Sequence, residues 1–113
     1  MRVTAPPVDG VFRALADPTR RQVVAELTRS PASVGELAAP FEMALPSFVQ
    51  HLRVLEGCGV VRSTKQGRVR TYCLVPDRLR AAEDWLAAQR IEWERRGDRF
   101  QQYVENLEPP DTP

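Results

Sequence analysis

The hydrophobic period of this chain changes twice, and those changes restrict its fold more than any other feature. Up to Leu55 the apolar residues recur at helical spacing. Residues 60–75 are instead rich in Val, Thr and Tyr, and from residue 77 onward the helical period returns as a heptad. Val8, Val11, Phe12 and Leu15 share one face and predict a short amphipathic helix over 8–16. Asp17 suits an N-cap and Pro18 a first helical position, so a second helix runs from there to about Ser30, with Val23, Val24 and Leu27 inward. Ser30-Pro31-Ala32 is a break. Ser33 and Glu36 have the S-x-x-E spacing of a capping box, which starts a short third helix ended by Pro40. Residues 44–57 form a fourth helix with Leu45, Phe48, Leu52 and Leu55 on one stripe, closed by Gly57 and Gly59. Residues 60–65 and 69–75 read as a two-stranded hairpin around Gln66-Gly67-Arg68.

The last helix is predicted over 77–105. Leu79, Leu86, Trp93, Phe100 and Leu107 recur every seven residues along it, and Ala82, Trp85 and Val104 widen the stripe. A chain of 113 residues, 42% of them apolar, builds one modest core. Such a core cannot cover so long an aromatic stripe, so half of this helix is expected to pack on something else. The expected fold is mainly α with a small β-hairpin: a winged helix-turn-helix over 8–107 with a long C-terminal dimerisation helix, between flexible tails at 1–7 and 108–113.

The formal net charge of +1 looks neutral, but it is a cancellation. Residues 44–80 carry seven basic side chains (Arg53, Arg62, Lys65, Arg68, Arg70, Arg78, Arg80) against Glu56 and Asp77, a net of +5, whereas residues 81–113 carry −4. The positive charge thus lies on the fourth helix and the hairpin, where phosphate neutralisation would supply affinity for duplex DNA. If Phe48, Leu52 and Leu55 point inward, then Pro46, Gln50, Arg53 and Gly57 point outward, flanked by Ser47 and Val49. Gln and Arg make bidentate contacts to adenine and guanine edges in a major groove, and Val can meet a thymine methyl. The hairpin cations Arg62, Lys65, Arg68 and Arg70 suit a wing on the phosphate backbone. The bland alternatives are a solvated helix face and charged strand edges that discourage aggregation. Arg20 and Arg21 are left open between phosphates and the acidic last helix.

Other functions are disfavoured by what the chain lacks. His51 is the single histidine, and no nucleophile-elbow, dinucleotide-binding or P-loop pattern occurs, so an enzyme is not expected. Cys58 and Cys73 are too few for a disulfide scaffold, although a redox-switched pair is conceivable alongside two small buried hydrophobes. No apolar run approaches a membrane span and no apolar leader is evident at the N-terminus, so a cytoplasmic protein without membrane partners is expected.

Phe12-Arg13-Ala14-Leu15-Ala16-Asp17-Pro18-Thr19-Arg20-Arg21, Gln50-His51-Leu52-Arg53-Val54-Leu55 with Gly59-Val60-Val61, and Gln66-Gly67-Arg68-Val69-Arg70-Thr71-Tyr72-Cys73-Leu74 occur in that order. Together they resemble the opening, recognition-helix and wing motifs of ArsR-type (ArsR/SmtB) winged-helix repressors. The resemblance covers about residues 8–105. It implies a transcriptional repressor that binds a pseudo-palindromic operator as a homodimer held by its first and last helices, with Val11, Phe12, Leu86, Trp93 and Phe100 as interface residues. Ala44 and Val49 stand where family members often carry Ser. Metal-sensing members carry Cys near the third helix or His and acidic clusters on the last. Here 34–40 lack Cys and the last helix lacks His and Cys, so a non-metal-sensing member without a cofactor is expected, with any small-molecule effector unnamed. Trp85 and Trp93 are candidate core or dimer anchors, or walls of an effector pocket. The alternative function is a protein-interaction or redox or small-molecule sensor module on the same fold, with weak or no DNA binding.

Overall fold

The structure, a computed structural model, describes residues 7–107. The segments 1–6 and 108–113, expected as tails, lie outside the described residues, and Pro7 already belongs to the first helix. The elements are α1 (Pro7–Leu15), α2 (Pro18–Leu27), β1 (Ala32–Ser33), α3 (Val34–Ala38), α4 (Leu45–Gly57), β2 (Val61–Gln66), β3 (Val69–Leu74) and α5 (Pro76–Asn106). Residues up to Ala82 form one compact unit, and those from Glu83 onward form a second.

Local chemistry sets most boundaries. Asp17 caps α2, its carboxylate accepting the Arg20 backbone N–H at 3.0 Å. The Ser33 capping box is complete: Ser33 Oγ accepts from Glu36 N at 3.2 Å, and Glu36 Oε1 accepts from Ser33 N at 3.0 Å. α4 ends in a Schellman motif, with Val60 N donating to Leu55 O and Gly59 N to Glu56 O. Gly59 adopts φ +81°, and a Cβ there would come 2.9 Å from Arg78 Nε, so this position requires glycine.

In the first unit, Val11 and Ala14 of α1, Val23 and Leu27 of α2, Leu37 of α3 and Phe48, Leu52 and Leu55 of α4 close a core with Val60, Val61, Tyr72 and Ala82. Phe41 stacks on Phe48 with ring centroids 5.2 Å apart. Burying a Phe or Leu in this way contributes about 1.5–3 kcal/mol, which locks the roll of α4. Ala82 is the only buried residue of α5.

The expected hairpin is a three-stranded antiparallel sheet in the order β1-β3-β2. β1 pairs Ala32 with Tyr72 and Ser33 with Thr71, so the α3 cap is fastened to the sheet. Two residues are too short to show a strand period: Ala32 falls in the expected break, and Ser33 serves both as strand end and as the expected cap of α3. α2 is also shorter than expected, ending at Leu27 with Thr28 as its C-cap. Leu45, expected on the inward stripe, is 54% exposed: as the first residue of α4 it lies beyond the reach of the core.

Candidate nucleic-acid interface

With Phe48, Leu52 and Leu55 inward, α4 turns Pro46, Ser47, Gln50, Arg53 and Gly57 to the surface, and Val49 is half-buried at the flank. Gln50 and Arg53 arrive as a pair: Arg53 Nη1 donates to Gln50 Oε1 at 3.2 Å. Ala44 caps α4 without a side-chain bond.

Arg20 ties α4 to the preceding helices. Its Nε donates to Ala14 O at 2.7 Å, its Nη2 to Arg13 O at 3.2 Å, and its Nη1 meets His51 Nδ1 at 3.1 Å. A guanidinium only donates, so Nδ1 accepts and a neutral His51 carries its proton on Nε2. Asp17 Oδ2 lies 3.7 Å from the same Nδ1. The Arg20 backbone N–H is the main cause that holds the Asp17 carboxyl below its ordinary value, opposed by partial burial and aided by the charges of His51, when its ring is protonated, and of Arg20. Arg21 Nη1 donates to Leu15 O at 2.8 Å. Both arginines therefore satisfy the terminal carbonyls of α1, a role the sequence had left undecided.

The wing has two distinct faces. β2 and β3 pair Val61 with Leu74, Ser63 with Tyr72 and Lys65 with Arg70, and strand alternation puts these six on the face that carries the core. Arg62, opposite Cys73, belongs to the other face, and Arg68 is in the turn. Gly67, at φ +62°, takes the first central position of this two-residue turn, as a type II′ hairpin requires. Arg62, Lys65, Arg68 and Arg70 are all exposed. Lys65 and Arg70 would repel across the strands, but Arg70 is engaged elsewhere. Its Nη1 donates to Ser63 Oγ at 2.8 Å, and Ser63 Oγ donates to Glu56 Oε1 at 2.7 Å. Sequence reasoning missed Ser63 and Glu56, because each partner is seven residues away with no local pattern to betray it. Burial pushes the Tyr72 phenol above its ordinary range, and the Glu56 charge acts in the same direction.

The expected interface residues separate. Val11 is fully enclosed in the chain's own core, so that expectation is corrected: it has no surface to give a partner. Phe12 is half-buried against the same core. Leu86, Trp93 and Phe100 are exposed on α5, the last two at 72% and 67%, and Ile91, Tyr103, Val104 and Leu107 are exposed with them. Trp93, Arg96, Gly97 and Phe100 line a shallow notch of about 330 Å³. The two thiols are free and have different surroundings. Cys58 Sγ donates to Leu55 O at 3.3 Å, beside Gly10 of α1, whereas Cys73 lines a groove with Leu27, Pro31, Leu74 and Pro76. Among the described residues, no three His, Cys, Asp or Glu side chains gather into a metal-binding set, and no helix is long and apolar enough to cross a membrane.

Residues 15–64 match a helix-turn-helix domain family. The HTH-type transcriptional regulator Rv2034 of Mycobacterium tuberculosis is 41% identical over 73 residues, covering 65% of this chain and 68% of that protein. The transcriptional repressor SdpR of Bacillus subtilis is 29% identical over 79 residues, covering 70% and 88%. The crystal structure of an ArsR family transcriptional regulator, RHA00566, superposes with a TM-score of 0.76 at 53% identity, covering 79% of this chain and 98% of that one. The homodimeric winged helix-turn-helix DNA-binding domain Mb0332 of Mycobacterium bovis superposes with a TM-score of 0.60 at 27% identity, covering 76% and 82%.

Proposed function

The chain belongs to the ArsR family of winged helix-turn-helix transcriptional regulators, and on that premise we propose that it is a homodimeric repressor that reads a pseudo-palindromic operator. Binding DNA to regulate transcription follows from the family; the dimer, the repression and the residues are our reading. The observation that carries it is the outward Gln50–Arg53 pair on a helix whose opposite face is locked in the core. Gln50 and Arg53 read base edges, with Val49 against a thymine methyl. Ser47, Arg62, Lys65 and Arg68 hold phosphates, with Arg70 beside them.

The repressor SdpR and the homodimeric domain from M. bovis support the regulatory sense and the assembly. So does the exposed aromatic stripe of α5, since lone soluble helices do not keep Trp93, Phe100 and Tyr103 in water without a partner. Within the family we read the protein as a non-metal-sensing member that is not an enzyme. Its single histidine accepts from Arg20, and its cysteines have separate surroundings. Added zinc is expected to leave DNA affinity unchanged.

The test is an electrophoretic shift with the DNA flanking its own gene. Binding should weaken steeply with salt, and Arg53→Ala should cost about 1–3 kcal/mol and relax base preference at one position of each half-site. Affinity that is the same at low and moderate salt would sink the reading, and a dimer that shifts no DNA but captures a protein would favour an interaction module.

A further inference from the structure

We propose that Glu56 and Ser63 are positioning residues for DNA binding, bracing the wing against the end of α4 through Arg70. The inference rests on the DNA-binding reading above, but the brace is a property of the free protein.

Three elements meet in one chain of hydrogen bonds. Arg70 Nη1 on β3 donates to Ser63 Oγ on β2, and Ser63 Oγ donates to Glu56 Oε1 at the end of α4. The hydroxyl is used in both senses, with a cation at one end and a carboxylate at the other, an order in which each bond polarises the next. Ser63 is half-buried and sits opposite the buried Tyr72 in the register, so the middle of the chain is anchored. The Ser63 hydroxyl is thus the group that bridges Glu56 and Arg70.

The position of the brace shows what it is for. β1 supports β3 at Thr71 and Tyr72 and no further. Beyond that point the wing is two strands, from Lys65 to the Gly67 turn and back to Arg70, and a two-stranded ribbon twists readily. The brace engages Arg70, the first residue past the third strand. It also draws the Arg70 guanidinium toward Ser63 and away from Lys65, its neighbour across the strands, leaving Lys65 and Arg68 as the cations of the tip. Arg70 therefore sets the angle at which those two reach DNA, and is not itself a phosphate ligand.

The experiment compares the full chain with Ser63→Ala, Ser63→Thr, Arg70→Gln and the Ser63→Ala/Arg70→Gln double variant, binding duplex DNA of mixed sequence across a salt series. Each phosphate contact contributes about 0.9 to the slope of log affinity against log salt. Losing the brace frees both tip cations, so Ser63→Ala and Arg70→Gln should each lower the slope by about two, and the double variant by no more. Ser63→Thr keeps the hydroxyl and should restore the slope, which a generally loosened fold would not do. If Ser63→Ala keeps the parent slope while Arg70→Gln alone loses about one, Arg70 is a direct phosphate contact and the brace is wrong. Amide hydrogen exchange on the free protein reads the brace without DNA. Residues 64–69 should exchange several-fold faster in Ser63→Ala, with α1 unchanged. Unchanged exchange at the tip overturns the proposal, whereas faster exchange in Ser63→Ala, together with a parent chain that binds no DNA, upholds the brace and refutes the DNA reading.

Discussion

Ala44 opens α4, the proposed reading helix, without a side-chain bond, whereas Asp17 and Ser33 cap theirs. The deficit is smaller than it looks. Pro46 carries no N–H, which removes one of the donors a cap would satisfy, and the Ser47 N–H already reaches Ala44 O at 3.0 Å. Ala44→Ser should therefore gain stability near the low end of the usual cap range, about 0.5–1 kcal/mol. For a domain of this size that raises the melting temperature by about 2–8 °C, which calorimetry can read. No gain would mean that the Ser47 N–H is already satisfied. Caps of this kind are legible in sequence because donor and acceptor lie within one turn. Arg20 shows the opposite case. Its partner His51 is 31 residues away, and its carbonyl partners Arg13 and Ala14 are backbone groups that any residue would present. No pattern in the sequence separates a guanidinium that closes α1 from one that meets a phosphate.

Helices α2 and α3 both depend on a carboxylate near their start, and that dependence carries a pH signature. The Arg20 backbone N–H holds Asp17 below its ordinary value of 3.8, and the Ser33 backbone and hydroxyl hold Glu36 below 4.5. A carboxyl whose folded pKa is lowered binds fewer protons in the folded state than in the unfolded one. Its stabilisation is therefore complete above the ordinary value and is lost as pH falls through the lowered one. Melting temperature should fall below about pH 4.5. Asp17→Asn and Glu36→Gln should each be less stable than the parent at pH 7 and lose less on acidification. Parallel pH profiles for parent and variants would show that the caps do not titrate with folding. At this scale the order of helices was readable from period and punctuation, including both caps and the final helix to within a residue. What escaped was set by tertiary pairing: β1 exists only because β3 accepts it, and Leu45 keeps its place in the stripe while losing its burial because the core stops one turn short.

Charge and apolar surface are divided along the chain in a way that only the assembled molecule explains. Residues 44–80 carry +5 and hold the recognition helix and wing, while 81–113 carry −4 and hold the exposed stripe of α5. The acidic segment is repelled by phosphate, and it carries an apolar notch at Gly97, walled by Trp93 and Phe100. Pairing through α5 would tie two reading heads into one ligand, so the second half-site binds at a high effective concentration. Such linkage raises overall affinity by about 10²–10⁴ with no new contact to DNA. Phe100→Glu puts a carboxylate on the exposed stripe of the second unit, whereas every residue proposed to touch DNA belongs to the first. It should convert the protein to a monomer by sedimentation and weaken operator binding by about 100-fold or more, while affinity for an isolated half-site stays at the parent value. A Phe100→Glu chain that remains a dimer would show that α5 is not the surface that joins the two copies. A monomer that still grips the full operator as tightly as the parent would show that the two heads bind without help from one another.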